Sequence, residues 1–371
     1  FATANDNSGN VLRIDPLPSL IPSLAPSLPP PAAVEAPPSA DPEIVKAAGS
    51  LERPVRAVEP TQDLAHVPGN VSSIGGWWRL WQWSRHGSSW LQKMYDRHGP
   101  VFRTSLGREH MVMVADPELQ GRILRNEDRA YSTALAWATL MGGVHGDGPL
   151  PRWLVNMDFG AHRASRRLVQ PAFQARAVER YLEIFNREVS ATVDQWGKAG
   201  VVAFKPAVRE LFARCATRVF VGIDDPETAR MIEQALADTW HAPMATSRTQ
   251  GNKTWRKAVQ GYATQYEYYM SLIPERRKQG GDDLFSQLCQ LEPSAADDWD
   301  DDALVSLFMS IMAGSFDTTS SASASMGYLL ARPGEWQERM RGQSRATGQQ
   351  HMSYDDARQL TAHGLVWKET L

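Results

Sequence analysis

The sequence predicts a mainly α-helical domain with a small β-sheet near its start. Residues 101–106 and 111–114 are strand-like apolar segments joined by a short turn, which predicts two paired strands. From residue 158 onward, helical patterns dominate, and prolines and glycines interrupt them at intervals. With 371 residues, 42% of them hydrophobic, the chain is long enough to bury a substantial core in one domain or two.

Composition excludes several classes of protein. A net charge of −3 and a pI near 6.3 give no reason to expect nucleic-acid binding. The two cysteines, Cys215 and Cys289, fit neither a zinc site nor a disulfide framework, so a reducing, intracellular setting is favoured. The sequence contains no run of eighteen apolar residues, which argues against a membrane-spanning helix. A soluble or peripherally membrane-associated protein is expected.

The first residues differ in composition from the remainder. Twelve of the 24 prolines lie within residues 1–60, mixed with Ser and Ala. Proline lacks the backbone donor and fixes φ, so this segment cannot form regular helix or sheet. We expect residues 1–65 to be a disordered leader or linker, and residues 66–371 to form the folded domain.

A tryptophan cluster follows the start of the predicted domain. Its members are Trp77, Trp78, Trp81, Trp83 and Trp90. Aromatic packing of an N-terminal helix against the domain is the simpler interpretation. A surface that touches a membrane at its interface is the alternative.

A long buried helix is predicted near the C-terminal end. The acidic residues of 297–302 lack the glycine and the distal glutamate of a calcium loop, so they are interpreted as a helix N-terminus, where carboxylates meet the helix dipole. The helix should run from about Asp301 to Ala331, before the proline at 333. Residues 304–313 are apolar on nearly all sides, which predicts burial.

Polar groups interrupt this apolar helix at its midpoint. Gly314 and Thr318 lie four residues apart, so the threonine hydroxyl can bond the Gly314 carbonyl, and the glycine leaves space for a ligand. Asp317 could donate protons through water to a group bound there. Alternatively, Asp317 and the serines after it cap one another within a kinked helix.

Residues 158–173 form a second constellation, a short basic helix ended by proline. His162 and Arg166 share one face, and Arg163 and Arg167 share the next. Such a face suits paired carboxylates or phosphates. A solvated charged helix is the alternative.

Together these segments resemble the cytochrome P-450 family of haem-thiolate monooxygenases. The central segment is similar to the family's oxygen-activating motif, which Gly314, Ser315, Phe316, Asp317 and Thr318 fill, with serine where glycine is usual. The basic helix looks like the family helix that holds the haem propionates, and His162 and Arg166 occupy the corresponding positions. Residues 367–371 are similar to the Glu-x-x-Arg helix, with Glu369 as its acid. The resemblance covers residues 66–371.

The resemblance implies a fold, a cofactor and a reaction. We expect a partial cytochrome P-450 fold that binds haem, uses O2 and an electron donor such as a reductase or ferredoxin, and inserts oxygen into an apolar organic substrate. Thr318 would bond the bound oxygen, Asp317 would feed it protons, and Gly314 and Phe316 would line the substrate pocket. Residues 131–151 and 240–269 would set selectivity.

The resemblance also identifies what the given sequence lacks. In this family a cysteine in a later loop ligates the iron, so no residue of this chain is assigned as a metal ligand, and Cys215 and Cys289 are interpreted as core residues. The chain by itself is expected to be inactive, and Glu369 lacks its arginine partner.

Two further functions stay open at this point. One is a haem-less helical remnant or interaction module from an incomplete gene. Reading the coding sequence beyond Leu371 for an arginine, and later for a cysteine-containing loop, distinguishes it from the monooxygenase. The other is a metal-dependent helical hydrolase that uses the acidic run, but no His and carboxylate ligands recur at helical spacing nearby.

Overall fold

The computed structural model describes residues 64–107, 109–127, 129–146, 151–291, 299–315, 317–331, 334–349 and 351–371. The predicted leader, residues 1–65, lies outside these ranges except for its last two residues. Within the described residues there are fifteen α-helices and one two-stranded antiparallel sheet, which confirms the mainly helical prediction. None of the described helices is long and apolar enough to cross a membrane. The described chain divides into two compact units, residues 64–131 and 132–371.

The first unit contains the sheet. Its elements are α1 (Ser73–His86), α2 (Ser88–His98), β1 (Val101–Leu106), β2 (Glu109–Val114) and α3 (Pro117–Arg125). The strands pair antiparallel from Val101 opposite Val114 to Leu106 opposite Glu109. The second strand begins two residues earlier than predicted, because the pairing continues to the tight turn.

Helix α1 lies close against this hairpin. A side chain at Gly76 would overlap the carbonyl oxygen of Gly107, so only glycine permits the approach. The Gly107 N–H donates to the Gly76 carbonyl at 2.9 Å. On the same side, the Arg79 guanidinium donates from Nε to the Ser105 carbonyl at 3.1 Å. These contacts fix which face of α1 points towards the sheet.

The second unit is entirely helical within its described residues. Its helices are α4 (Thr133–Met141), α5 (Phe159–Val169), α6 (Ala175–Ala199), α7 (Phe204–Val221), α8 (Pro226–Trp240), α9 (Lys253–Gln279), α10 (Leu284–Cys289), α11 (Asp301–Ser315), α12 (Asp317–Leu330), α13 (Glu335–Ala346), α14 (Tyr354–Gln359) and α15 (Thr361–Thr370). Helices α11 and α12 flank residue 316, which lies outside the described residues, and both fall within the helix predicted from 301 to 331.

The core of this unit surrounds α11. Leu304, Val305, Phe308 and Met312 are each at most 2% exposed. The Phe308 ring makes edge-to-face contacts with Tyr269 of α9 and Phe285 of α10, with ring centroids 4.9 Å and 4.8 Å apart. Full burial of one such side chain contributes about 1.5–3 kcal/mol, so this cluster anchors α11 firmly.

Candidate functional site

The acidic start of α11 is a capped helix terminus, as predicted. The Asp300 carboxylate accepts a hydrogen bond from the Ala303 N–H at 2.8 Å. Asp301 pairs with Arg277 of α9, and Asp302 accepts from the Tyr266 hydroxyl at 3.0 Å. Each described carboxylate of the run therefore already has a partner within the protein. No group of three or more His, Cys, Asp or Glu suited to a metal occurs among the described residues.

The midpoint of the central helix has the predicted hydroxyl pattern. The Thr318 hydroxyl donates to the Gly314 carbonyl at 3.0 Å, and the Thr319 hydroxyl donates to the Ser315 carbonyl at 3.2 Å. Ser315 and Ser320 donate to carbonyls three residues back, on Met312 and Asp317. The predicted bond from position 318 to position 314 is thus confirmed. We call Gly314 and Thr318, with the space beside them, the helix notch.

The helix notch is open. Gly314 and Thr318 are both exposed, and a Cβ placed on Gly314 would meet nothing within 4 Å. A planar ligand could therefore approach the backbone here. The Thr318 hydroxyl uses its proton on the helix, while its oxygen lone pairs stay available as acceptors. Phe316, the other predicted pocket residue, lies outside the described residues.

The Asp317 carboxylate does not cap the serines that follow it. Asp317 Oδ1 lies 3.4 Å from Arg209 Nε on α7, and this carboxylate side chain is 49% exposed. Arg209 Nε also lies 3.2 Å from Glu233 Oε1 on α8. One guanidinium thus bridges two carboxylates from different helices. We call this group of three residues the carboxylate clamp.

Burial is the main influence on the pKa of Glu233 in the carboxylate clamp. It raises the pKa of the Glu233 carboxyl, since the charged form loses hydration, and the charges of Glu210 and Asp317 act in the same direction. Arg209 opposes this shift without cancelling it. Sequence reasoning missed Arg209 and Glu233, because neither stands in a motif and both lie about a hundred residues from Asp317.

The basic helix is shorter than predicted. Helix α5 spans Phe159–Val169, and residues 170–173 form a 3-10 turn around the proline. The Asp158 carboxylate, directly before α5, caps the neighbouring α4 instead and accepts from the Thr133 N–H at 2.9 Å. The Ser132 and Thr133 hydroxyls bond the same carboxylate.

The basic side chains of α5 have no carboxylate partners among the described residues. His162 is half-buried, and Arg163, Arg166 and Arg167 are exposed. None of these four side chains forms an ion pair with a carboxylate of the described residues. Three arginines without carboxylate partners, together with a histidine, suit an anionic ligand on this short helix.

A hydrogen bond links the segment before α5 to the central helix. The short 3-10 turn Leu154–Asn156 directly precedes α5. Its Leu154 N–H donates to the Ser310 hydroxyl of α11 at 3.3 Å. Ser310 stands one helical turn before Gly314, so both lie on the same face of α11. The fold therefore joins the chain leading into α5 to the helix one turn from the helix notch.

The two segments expected to set selectivity share aromatic contacts. Trp137 of α4 meets Trp240 at the end of α8 edge-to-face, with centroids 5.4 Å apart. Trp153, two residues after the first segment, contacts both Trp240 and Tyr262 of the second, with centroids 5.7 Å and 6.1 Å apart. Two surface cavities, of about 310 Å³ and 630 Å³, lie elsewhere and include neither Gly314 nor Thr318 among their lining residues.

The cysteines and Glu369 complete the list of predicted residues. Cys215 and Cys289 are 0% and 2% exposed. Burial raises the pKa of Cys215 to about 12 and that of Cys289 to about 11, so both thiols stay protonated at neutral pH. Both are core residues, as predicted. Glu369 is exposed on α15, so its charge is hydrated and is not left buried without a partner.

The chain is similar to proteins of one family. A family model described as cytochrome P-450 matches residues 68–371. Cytochrome P-450 136 of Mycobacterium tuberculosis is 29% identical over 294 residues, which cover 77% of this chain and 58% of that protein. The pentalenene oxygenase of Streptomyces avermitilis is 25% identical over 74% of this chain and 61% of its own length. The cyclooctat-9-en-7-ol 5-monooxygenase of Streptomyces melanosporofaciens is 24% identical, over 74% and 60%.

A solved structure shows the same fold. The retinoic acid-bound cyanobacterial CYP120A1 superposes with a TM-score of 0.67 at 19% identity, over 77% of this chain and 65% of that one. The chain thus spans 58% to 61% of the length of the three curated relatives described above.

Proposed function

The chain belongs to the cytochrome P-450 family, and from this we propose that the protein is a haem-dependent monooxygenase acting on an apolar organic substrate. One oxygen atom of O2 enters the substrate and the other leaves as water, with electrons from a reductase or ferredoxin and protons from solvent. The hydrogen bond from Leu154 to Ser310 carries the proposal, because it joins the basic α5 region to the open notch of the central helix.

The residues present fit two sides of a haem. His162 and Arg166, which have no carboxylate partners among the described residues, suit its acidic edge, and the open space beside Gly314 suits its flat face. When held by a cysteine thiolate, haem supplies the activation of O2. Neither Cys215 nor Cys289 fits as that ligand, since both side chains are packed in the helical core, where they are 0% and 2% exposed. We therefore propose that the thiolate comes from outside this chain.

The side chains at the helix notch would supply protons and position a water. Asp317 is half-exposed and can exchange protons with bulk solvent. Thr318 can hold a water through the acceptor capacity that its bond to Gly314 leaves free. A proton would pass from Asp317 to that water once the carboxylate moves away from Arg209. The proposed roles are thus proton supply for Asp317 and water positioning for Thr318.

Among apolar compounds, we propose an isoprenoid substrate. Two relatives are named for pentalenene and for cyclooctat-9-en-7-ol. The aromatic contacts of Trp137, Trp153, Trp240 and Tyr262 offer an apolar wall of matching character. Incubation with cyclic terpenes under labelled O2, followed by mass spectrometry, tests this choice of substrate.

Haem content tests the cofactor assignment without a substrate. In the full-length protein, His162→Leu and Arg166→Leu should each weaken haem binding about tenfold, the loss expected for one charge-assisted hydrogen bond. The matched controls for Arg166→Leu are Arg163→Leu and Arg167→Leu, which remove the same charge from the adjacent face of α5. Haem content is measured as haem absorbance per protein after a haem titration. Equal losses in all four variants would show a general effect of charge and contradict the assignment.

A further inference from the structure

The outer face of α1 is apolar and exposed. Ile74 is 90% exposed, Trp78 58% and Trp81 50%. Trp77, at 36%, completes a set spaced three and four residues apart, which places all four side chains along one stripe of the helix. Isolated exposed apolar residues are normal on a protein surface, but a continuous stripe with three tryptophans marks an interaction surface.

The stripe is held outward by the packing of the opposite face. Gly76 sits against Gly107, and Arg79 bonds the Ser105 carbonyl, which holds Ile74, Trp78 and Trp81 outward. The Trp77 ring, at the edge of the stripe, lies beside Gly107 of the hairpin. The sequence predicted that the tryptophan cluster packs against the domain or touches a membrane. Trp90 is buried and donates its indole N–H to Gln82 Oε1 at 3.3 Å, as in the packing interpretation. Trp78 and Trp81 instead stack on each other in solvent, with ring centroids 4.7 Å apart.

The charges around the stripe are positive. Helix α1 contains no acidic residue, and residues 73–98 hold four Lys or Arg against the single acid Asp96. Arg85 is exposed and follows Trp81 by four residues, so it continues the same stripe. No carboxylate of the described residues pairs with Arg85. The stripe thus combines apolar side chains with a free cation at one end.

We propose that this face of α1 docks the protein on the surface of an anionic lipid membrane. Indole rings prefer the boundary between headgroups and acyl chains, because they have an apolar body and a polar N–H. Ile74, Trp78 and Trp81 occupy that boundary, and Arg85 meets the lipid phosphates. Stable peripheral binding needs two signals of this kind, one apolar and one electrostatic.

Vesicle sedimentation of the full chain tests this proposal independently of haem and catalysis. The protein should pellet with vesicles of phosphatidylcholine and phosphatidylglycerol, and much less with phosphatidylcholine alone. Replacing both Trp78 and Trp81 by Ser should weaken partitioning at least about tenfold, since the apolar contribution scales with buried area. Arg85→Gln should weaken it about fivefold, and added salt should do the same. The matched control is Trp336→Ser on α13 of the second unit, an indole that is 42% exposed.

The outcomes separate the partner classes. Unchanged pelleting of the tryptophan double variant, or equal binding to neutral vesicles, overturns the proposal. So does a dimer seen by gel filtration that the double variant abolishes, because a second copy would then cover the stripe. Quenching of tryptophan fluorescence by brominated lipids should be strong in the parent protein and weak in the double variant. Ile74→Ser tests the same stripe independently, should the double variant fold poorly.

Discussion

At the scale of single residues, Tyr269 places an unpaired hydroxyl in the core. Its side chain is 0% exposed, and its hydroxyl has no hydrogen-bond partner among the described residues. Burial raises the pKa of the phenol far above its ordinary value. The ring itself packs on Phe285 and Phe308. The ring therefore stabilises the fold, while the hydroxyl opposes it through lost hydration.

Removing that hydroxyl should stabilise the protein. Tyr269→Phe keeps the ring contacts and should raise the free energy of unfolding by about 1–3 kcal/mol, the cost of one unsatisfied buried polar group. Tyr266→Phe is the matched control, because its hydroxyl donates to Asp302 at 3.0 Å, and its loss should lower stability by about 1 kcal/mol. Urea denaturation measures both values. A destabilised Tyr269→Phe would mean that the hydroxyl has a partner.

The two threonines of the central helix offer a second matched pair. Thr318→Ala should uncouple consumption of reductant from product formation in the full-length enzyme, because the proposed water loses its hydrogen bond to the Thr318 hydroxyl. Thr319 makes the same kind of bond to a carbonyl four residues back but lies on the adjacent face. Thr319→Ala should therefore leave coupling unchanged. Coupling is the ratio of product to reduced cofactor consumed, and an equal ratio in both variants refutes the role of Thr318.

The sequence predicts local contacts at this scale better than distant ones. The bond from Thr318 to Gly314 follows from spacing alone, since residues four apart on a helix are neighbours. The contact of Asp317 with Arg209 does not, because it depends on how α7 packs against α12. The same limit applies to Asp158, whose carboxylate caps α4, although it stands at the start of α5.

At the scale of elements, the carboxylate clamp joins α7, α8 and α12. Arg209 lies between Glu233 and Asp317, so a movement of α8 changes the charge beside Asp317. The Arg209 guanidinium is 27% exposed and Glu233 is 20% exposed, which leaves both charges partly screened by solvent. Through Arg209, the carboxylate clamp thus connects α8 to Asp317, the proposed proton donor.

The raised pKa of Glu233 predicts a pH-dependent stability. The folded protein holds this proton to higher pH than the unfolded chain, so the stabilisation is complete below the ordinary glutamate pKa. It is lost as pH rises through the raised value. Glu233→Gln should remove this dependence, and its stability relative to the parent should improve as pH increases through that window. Urea denaturation across the pH range measures this, with Glu267→Gln on the exposed face of α9 as control.

If the difference in unfolding free energy between the parent and Glu233→Gln did not change with pH, the raised pKa of Glu233 would be contradicted. If the variant instead lost stability relative to the parent as pH rose, the ion pair with Arg209 would dominate, because pairing lowers a carboxyl pKa.

Element boundaries were predictable where chemistry marks them. The start of α11 at Asp301 follows from an acidic run before apolar residues, and the predicted start of α5 is displaced by one residue only. The end of α5 was not predicted, because Pro171 permits a further 3-10 turn where an α-helix must stop. Capping acids and prolines act locally, which is why they can be read from sequence.

At the scale of the whole molecule, the order of motifs was more informative than any single motif. The basic helix and the central helix with its acid and threonine together predict the family, and the family match over residues 68–371 confirms it. The orientation of α1 could not be predicted in the same way. For the five tryptophans within fourteen residues the sequence favoured packing against the domain, and the exposure of Trp78 and Trp81 depends on the contact between Gly76 and Gly107.

The two cysteines report on the integrity of the helical unit. Only the thiolate reacts with a disulfide reagent, and the pKa values of about 12 for Cys215 and about 11 for Cys289 leave almost none at neutral pH. Unfolding returns both to an ordinary pKa near 8.5, where labelling is fast. We therefore expect no reaction with Ellman's reagent in buffer, and labelling that follows unfolding as urea increases.

The variants Cys215→Ser and Cys289→Ser separate the two thiols. Cys289 should react before Cys215, because its pKa is raised less and it lies in the six-residue helix α10, which can open with less loss of packing than the eighteen-residue α7. Labelling at high pH without urea should show the same order. Rapid labelling of either thiol in neutral buffer would mean that it is an accessible thiolate. That outcome would contradict the burial of that side chain in the helical core.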